Sequence, residues 1–310
     1  MYKFVIKRIL ITIPVLIGVA FIIFTILAMT PGDPGRLILG PLAEESAVAQ
    51  LNHELGYDRP FIVRFANFIG DIVLKLDFGT SYRSGEQVIR ELGARLPYTI
   101  TLALLSMLLG SIIGISLGVF SAIEQYSVFD QISRFLAMIF ASIPNFWFGM
   151  MLIYIFALVF GLLPSYGVES WQSYILPVVS LSIGPMASLL RLSRTTMLET
   201  IRQDYVRTAR AKGATKISVV VKHALKNALL PVITIMGMNF GRLLGGALIT
   251  ETVFSMPGVG MYVVSAIRNK DIPAVMGSTF ILAALFSLIM LGVDLLYAYI
   301  DPRVKAKYMK

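Results

Sequence analysis

Ionisable residues inside apolar stretches are the first candidates for chemistry in this chain. Arg242 lies near the middle of an uncharged run, Glu251 near the end of the same run, and Asp294 late in another. Charged side chains are costly within a bilayer and usually face protein or water. We expect Arg242 to line a polar pathway or to be held by an ion pair or by backbone carbonyls. Asn145 and Asn239 are weaker candidates of the same kind.

The two intramembrane carboxylates are predicted at different depths. Asp294 and Arg242 lie on antiparallel helices, about 10 Å apart in depth at 1.5 Å rise per residue, which leaves an ion pair through the long arginine open. Glu251 is expected near the outer surface, where burial is less costly. We therefore assign Glu251 and Asp294 to a translocation pathway and not to a catalytic pair.

Sets of residues that would carry out catalysis are missing from the sequence. There is no Gly-x-x-x-x-Gly-Lys-Ser/Thr phosphate loop, no Gly-x-Ser-x-Gly elbow and no His-Glu-x-x-His. Cysteine is absent, which excludes disulfides and thiolate metal sites. The histidines, His53 and His223, are predicted on opposite sides of the membrane. We expect no catalytic residue, no metal site and no cofactor in this chain.

The basic segment Asp204–Pro231 is the most informative part of the chain. From Arg191 to Lys226 there are nine Lys and Arg residues against the acids Glu199 and Asp204. Such segments stay on the cytoplasmic side of a membrane. The net charge of +9 is thus distributed by topology and does not indicate nucleic-acid binding. A partner inside the cell is expected to bind this segment.

The composition places the elements around this segment in a bilayer. Of 310 residues, 56% are hydrophobic and 15% are charged, whereas a soluble domain has about 25% charged residues. Apolar runs of about 20 residues can cross the membrane as helices, and they predict six spans at 9–29, 96–123, 135–162, 171–190, 228–254 and 272–300. In the third, Pro144 and the break Gly161-Leu162-Leu163-Pro164 predict one helix with a short external tail.

The orientation of the spans follows from basic residues at both ends of the chain. Lysines and arginines precede the first span and follow the last, so both termini are predicted to be cytoplasmic; these are Lys3, Lys7, Arg8, Arg303, Lys305, Lys307 and Lys310. The basic segment, bounded as 191–227, then lies inside. The segment 30–95, with seven basic and nine acidic residues, lies outside. The sequence predicts an all-α integral membrane protein, and its first span does not look like a cleavable signal peptide.

The external segment is expected to be a small helical cap near the pore mouth. Residues 43–55 and 61–76 mix apolar and polar types at helical spacing, with Gly56 and Pro60 between them. The cap could shield the outer ends of the spans or dock an external partner.

Small residues recur at four-residue spacing within two spans. These are Gly110, Gly114 and Gly118 in the second span, and Gly241 and Gly245 in the fifth. Such faces let helix backbones approach closely in lipid. We expect close helix packing at these positions rather than substrate contact.

The basic segment resembles a known cytoplasmic loop. Arg207-Thr208-Ala209, Gly213 and Leu230-Pro231 are similar to the Glu-Ala-Ala, Gly and Leu-Pro pattern in permease subunits of ATP-binding-cassette importers. Arg207 and Thr208 stand where Glu and Ala are usual, and the stretch from Gly213 to Pro231 is a few residues longer than the common spacing.

Further motifs resemble the dipeptide, oligopeptide and nickel branch of that family, and its permease with a long external loop after the first span. In chain order they are Pro31-Gly32-Asp33-Pro34, Leu55-Gly56-Tyr57-Asp58-Arg59-Pro60, Asp77-Phe78-Gly79-Thr80-Ser81, the segments 205–213 and 223–231, and Glu251-Thr252-Val253-Phe254-Ser255-Met256-Pro257-Gly258-Val259-Gly260. The resemblance covers nearly the whole chain.

The resemblance implies a type I importer permease fold in a bacterial or archaeal cytoplasmic membrane. It implies a second homologous permease, two ATPase subunits that bind ATP and Mg, an extracytoplasmic substrate-binding protein, and surrounding membrane lipid. A short coupling helix would fit a cleft on the ATPase. The residues matched to it are Tyr205, Arg207, Thr208, Ala209, Arg210, Ala211, Lys212, Gly213, Ala214 and Lys216.

The cargo and two other classes of protein stay open from the sequence. Peptides are the first choice of cargo, while nickel, opines and small sugars are served by relatives in the branch. A secondary transporter usually shows inverted repeats and interrupted helices, and no convincing repeat is present. An intramembrane enzyme would need the catalytic residues that are missing.

Overall fold

The computed structural model describes residues 2–30 and 32–300, which fold almost entirely into helices. In order these are α1 Tyr2–Met29, α2 Pro34–Leu39, α3 Glu45–Glu54, α4 Phe61–Lys75, α5 Val88–Ile123, α6 Val128–Ser142, α7 Asn145–Leu152, α8 Ile175–Ile201, α9 Asp204–Ala211, α10 Lys216–Ser218, α11 Lys226–Val253, α12 Val259–Arg268 and α13 Ile272–Ile300. The terminal basic residues from Arg303 onward, Pro31 and the side chain of Lys3 lie outside the described residues.

Five helical segments are long and apolar enough to cross a membrane, namely Val5–Met29, Val88–Ile123, Trp171–Ile201, Val219–Gly245 and Ile272–Leu296. A sixth crossing is available if the bent pair Val128–Ser142 and Asn145–Val159 counts as one span. The all-α membrane fold predicted from the apolar runs is therefore confirmed.

The third predicted span is not the single helix that we expected at 135–162. It is two helical segments, α6 and α7, bent by 100°, and α7 continues as a π-helical turn over Ile153–Val159. Proline disfavours the helical conformation of the residue before it, and Ile143 is accordingly extended at φ −79° and ψ 127°. Pro144 therefore ends one helix and begins the next.

Helical structure also continues through most of the predicted cytoplasmic loop. The helix α8 extends to Ile201, beyond the apolar run that ends at residue 190. After α9, the short α10 and the π-helical turn Val219–Leu225 lead directly into α11. The basic residues thus sit on helices joined to the membrane-spanning part.

The helices α5 and α8 form the most extensive helix pair in the structure. A Cβ atom added at Gly114 or Gly118 would lie 2.5 Å from the carbonyl oxygen of Met186 or Leu190, and at Gly110 it would lie 2.9 Å from that of Ser182. The predicted close packing of this glycine face is thus confirmed.

The second glycine face is only partly as predicted. A Cβ atom at Gly241 would lie 2.5 Å from the ring of Phe286 on α13, so this glycine does permit close packing. Gly245 is exposed, and no atom of the described chain lies within 4 Å of the position of a Cβ, so no helix of the described chain packs closely on it. A four-residue spacing places both residues near one face without specifying how far a neighbouring helix extends.

Candidate coupling site and pathway residues

The helix α9 contains most of the predicted coupling residues and is attached to the bundle at few points. Val206 is fully buried. The Tyr205 hydroxyl accepts a hydrogen bond of 2.9 Å from the Asn227 side chain at the start of α11. Among the predicted residues from Tyr205 to Ala214, Ala209 and Ala214 are half-buried and the others are exposed. The helix is therefore anchored on one side and open on the other.

The charges of α9 are directed away from the bundle. Arg207 lies 3.6 Å from Asp204, but both side chains are largely exposed, so this pair contributes about 0–1 kcal/mol. Arg210 lies in the last turn, where a cation complements the helix dipole. Within the described part of the chain, Arg210 and Lys212 have no ion-pair partner. This exposed basic face is available to an acidic surface.

Gly213 ends α9 with a left-handed turn. Its φ is +84°. The Gly213 N–H donates to the Arg210 carbonyl at 2.9 Å, and the Ala214 N–H donates to the Ala209 carbonyl at 3.2 Å. This pair of bonds is the Schellman motif. Because nothing lies near the position of a Cβ, glycine is needed here for its backbone conformation and not for a close approach.

The segment after Gly213 joins α9 to the bundle. Val220 and Ala224 of the π-helical turn pack with Ala122, Met197 and Ala228, which belong to α5, α8 and α11. The predicted coupling residue Lys216 begins α10, and its side chain lies outside the described residues. A force applied to α9 would thus reach three membrane-spanning helices through one apolar cluster.

A buried ion pair that the sequence reasoning missed lies at the same end of the bundle. The Arg194 guanidinium donates two hydrogen bonds to the Asp130 carboxylate, at 2.6 and 2.8 Å. Asp130 also accepts from the Ser121 hydroxyl at 2.5 Å and the Tyr126 N–H at 3.0 Å. These contacts fix the corner between α5 and α6 to α8.

The sequence carried a signal for only part of this arrangement. Ser127 followed three residues later by Asp130 is a helix-start pattern, and the Ser127 hydroxyl does accept from the Asp130 N–H at 3.1 Å. Arg194 is 64 residues away from Asp130 in the chain, and no local pattern indicates that the two meet.

Arg242, the main pathway candidate, is exposed near the middle of α11. It is about 22 Å along the axis from Asn227 and about 16 Å from Val253, at 1.5 Å per residue. Arg242 has no hydrogen bond or ion pair with any described residue. Met238, Gly245 and Ile249 are exposed on the same helical face. An arginine at this depth requires water or a protein partner on that face.

The two asparagine candidates make contacts between helices. Asn239 is buried, and its side chain donates to the Ser188 hydroxyl on α8 at 3.1 Å. Asn145 is half-buried, and its backbone carbonyl accepts from the Ser180 hydroxyl at 2.9 Å. Neither residue forms a hydrogen bond with Arg242 in the part of the chain that the structure describes.

Asp294 pairs with a residue other than Arg242. Its carboxylate lies 2.9 Å from the Arg8 guanidinium on α1. The ion pair between Asp294 and Arg242 that the sequence left open is therefore not formed. The depth difference between the two residues and the approach of α1 to α13 explain this choice of partner.

Glu251 lies two residues before the end of α11 and is fully buried within the protein. In the described chain its carboxylate is enclosed by protein and lines no open surface, which differs from the pathway position expected for it. Its carboxylate accepts from the Thr99 hydroxyl at 2.6 Å and from the Met261 N–H at 3.1 Å. Thr99 in turn accepts from the Val259 N–H at 2.9 Å. The turn that contains Gly258 folds back over the carboxylate, which thereby joins α11 to α5 and to the first turn of α12.

The motif at residues 77–81 docks the external segment on α13. The Ser81 hydroxyl donates to the buried Asp271 carboxylate at 2.5 Å, and the Ala274 N–H donates to the same carboxylate at 3.3 Å. The Arg83 guanidinium donates to the Ser265 hydroxyl on α12 at 2.8 Å. These hydrogen bonds attach the external cap to α12 and α13.

Two tyrosines lie in a cleft of ≈ 700 Å³ under the cap. The hydroxyls of Tyr57 and Tyr82 are 2.6 Å apart. Burial raises the pKa of both phenols above the ordinary value, so both stay neutral at physiological pH. The hydrogen bond fixes the turn at residues 55–60 to the segment that contains Ser81.

Among the residues that the structure describes, no group of three potential metal ligands comes together. His53 lies in the external cap, 2.8 Å from Asp58, and this contact lowers the pKa of the Asp58 carboxyl. His223 is in the π-helical turn before α11. The two histidines are thus in separate parts of the fold.

The chain matches two family models that together cover almost all of it. Residues 114–306 match the family described as binding-protein-dependent transport system inner membrane component. Residues 1–103 match the N-terminal component of the same kind of transport system. The chain belongs to this family. It is a multi-pass inner membrane protein and resembles permeases of the peptide branch of ATP-binding-cassette importers, as the motifs indicated.

Similar proteins match over the full length. A dipeptide transport system permease protein of Alkalihalophilus pseudofirmus is 40% identical, covering 98% of this chain and 100% of the relative. A glutathione transport system permease protein of Escherichia coli (strain K12) is 39% identical, covering 99% and 100%.

Solved structures support the fold. The MetNI methionine ABC transporter in inward-facing conformations matches with a TM-score of 0.55 at 20% identity, covering 69% of this chain and 97% of that chain. An amino acid ABC transporter with histidines matches with a TM-score of 0.52 at 16% identity, covering 69% and 94%. The type I importer permease fold is therefore confirmed.

Proposed function

We propose that this permease forms one half of the pore of an ATP-driven importer for short peptides. The observation that carries the proposal is the full-length identity of about two fifths with permeases named for dipeptide and for glutathione transport. Glutathione is itself a small peptide, so both names indicate one class of cargo. A second homologous permease would supply the other half of the pore.

The proposed ATPase docking surface is the open side of α9. Arg207, Arg210 and Lys212 are exposed there and would pair with acidic side chains of the ATPase. ATP and Mg would be bound by two separate ATPase subunits, and this chain would carry out no hydrolysis. The single buried anchor, Val206, supports this role because most of the helix is left open to a partner.

The proposed coupling route runs from α9 to the membrane-spanning helices. The Tyr205–Asn227 hydrogen bond connects α9 directly to α11. The π-helical turn that follows α9 in the chain packs on α8 and α11 through the cluster that includes Met197 and Ala224. A rigid helix held in a cleft can convert closure of the ATPase dimer into rigid-body movement of the helices attached to it. Since α8 also contains Arg194, the buried ion pair would carry the movement to α6.

The proposed pathway runs along the face of α11 that contains Arg242. An unpaired arginine at the centre of a spanning helix costs about 2.5–3.5 kcal/mol on insertion scales if it faces lipid. A water-filled pathway between the two permeases would remove that cost. Asn239 would act indirectly, by holding α11 to α8.

The experiment is copurification from the native membrane followed by transport in sealed vesicles. We expect recovery of a second six-span permease and two ATPases, and ATP-dependent uptake of a labelled dipeptide delivered by the binding protein. Uptake of radioactive nickel with no peptide uptake would replace peptide by nickel as the cargo. Recovery of this chain alone, with transport intact, would refute the ATP-driven importer and favour a secondary transporter.

A further inference from the structure

The external helix α4 presents three distinct faces. One face packs on α1 through aromatic rings: Phe21 lies 5.2 Å from Phe65, and Phe24 lies 5.2 Å from Phe61, measured between ring centroids. Phe68 extends the same contact, at 6.1 Å from Phe24. These residues occur at three- and four-residue intervals, which places them on one side of the helix.

A second face of α4 is polar. Arg64, Asn67, Asp71 and Lys75 follow one another at the same intervals. The first three line the cleft under the cap, where the Arg64 guanidinium lies 4.2 Å from the centre of the Tyr57 ring. The Lys75 ammonium group donates to Asp71 at 2.8 Å. The polar side of the helix is thus directed toward the cap.

The third face of α4 is apolar, and most of its side chains are exposed in the part of the chain that the structure describes. Ile62 is 64% exposed, Val73 is 70% exposed and Leu76, just after the helix, is 69% exposed. Ala66 and Ile69 complete this stripe at helical spacing. Leu74, on the flank between this face and the polar face, is 81% exposed. A soluble protein would rarely leave such a contiguous apolar surface open to water.

We propose that α4 lies in the outer leaflet of the membrane and that its third face contacts lipid acyl chains at the headgroup boundary. The depth of α4 on α1 supports this placement. Its contacts at Phe24 and Phe21 are about 8 and 12 Å along the axis from Met29, the outer end of α1, at 1.5 Å per residue. Interfacial amphipathic helices insert about 5–10 Å into this boundary.

The apolar face of α4 is also continuous with a surface that faces lipid. Phe21, which contacts α4, is itself 41% exposed, and Ile17, one turn earlier on the same side of α1, is also 41% exposed. The helix α1 is a candidate membrane span with only 11% of its apolar window buried in the protein. One apolar surface therefore runs from α1 onto α4, and lipid is the occupant that fits both.

The absence of cysteine from the sequence gives a direct test. Val73→Cys and Asn67→Cys would each carry a nitroxide label on the same helix, one on the apolar face and one on the polar face. The complete permease complex is reconstituted in lipid nanodiscs. Collisions of the label with oxygen, which is concentrated in lipid, and with a water-soluble nickel chelate are then measured. Both residues are exposed, so the labels leave the packing intact.

We expect the ratio of oxygen to nickel-chelate collisions to be several-fold higher at Val73 than at Asn67. Equal ratios, with both labels open to the chelate, would place α4 in water and overturn the proposal. A Val73 label protected from both reagents in the complex would overturn it as well, because a protein partner would then cover the face. Peptide uptake by both variants, measured in parallel, checks that the complex is assembled.

Discussion

The buried ion pair between Asp130 and Arg194 predicts a large difference between two arginine variants. Arg194 and Arg134 both approach the Asp130 carboxylate. Arg194 is 16% exposed and lies at 2.6 Å, whereas Arg134 is 46% exposed and lies at 3.5 Å. Arg194→Gln and Arg134→Gln therefore remove the same charge from the same carboxylate in different surroundings.

The expected magnitudes follow from burial. Arg194→Gln removes two hydrogen bonds and leaves a fully buried carboxylate without its main counter-charge, which destabilises by about 3–5 kcal/mol. Arg134→Gln removes an exposed, long contact of about 0–1 kcal/mol. Each 1.4 kcal/mol changes the folded-to-unfolded ratio about tenfold, so the two variants are readily distinguished.

The assay is the fraction of monodisperse complex that survives heating or rising denaturant in detergent. We expect Arg194→Gln to lower the midpoint strongly and Arg134→Gln to leave it close to wild type. Adding Asp130→Asn to Arg194→Gln should recover part of the loss, since no unpaired charge is then buried. Equal midpoints for the two arginine variants, or a double variant worse than Arg194→Gln alone, would refute this reasoning.

Three further variants test other contacts. Gly114→Ala should reduce the amount of folded protein, since the added methyl group would meet a carbonyl of α8. Gly93→Ala is the control on the same helix; because open space surrounds Gly93, it should be neutral or slightly stabilising. The thermal stability of the two variants in detergent distinguishes them. Thr99→Val should destabilise the protein by about 1–3 kcal/mol, because the buried Glu251 carboxylate and the Val259 N–H each lose a hydrogen-bond partner. Thr99→Ser keeps the hydroxyl and should retain most of the stability. An equal loss of stability in both variants would contradict the hydrogen bond between Thr99 and Glu251. At matched expression, Gly213→Asn should keep more ATP-driven uptake than Gly213→Ala. Asparagine tolerates a left-handed backbone conformation that costs other residues about 1–2 kcal/mol. Greater uptake by Gly213→Ala than by Gly213→Asn would contradict a required left-handed turn at this position.

The long-range pattern of apolar residues was sufficient to predict the membrane fold. Each predicted span corresponds to helical structure because about 20 apolar residues have few other ways to satisfy their backbone groups in lipid. The bend at Pro144 was misjudged because a proline can kink a helix or end it, and the choice depends on surrounding packing. Here Ile143 is extended and the helix ends.

The candidate coupling site could be predicted from the sequence where it depends on residues that are close together in the chain. Gly213 was matched to the coupling segment from the sequence, and its left-handed φ ends α9 at that position. The contacts of Asp130, Glu251 and Asp294 could not be read from the sequence. Their partners are Arg194, Thr99 and Arg8, which are distant in the chain, and charge alone does not specify which distant residues meet.

The measurement that tests the account most directly is the number of peptides imported per ATP hydrolysed in proteoliposomes that contain the complete complex. With wild-type permease, we expect uptake of labelled dipeptide only in the presence of ATP and the binding protein. Proline fixes φ near −65° and cannot adopt the +84° of Gly213. We therefore expect Gly213→Pro to retain ATP hydrolysis and lose uptake. Uptake without ATP, or normal coupling in Gly213→Pro, would contradict the assignment of α9 as the coupling helix.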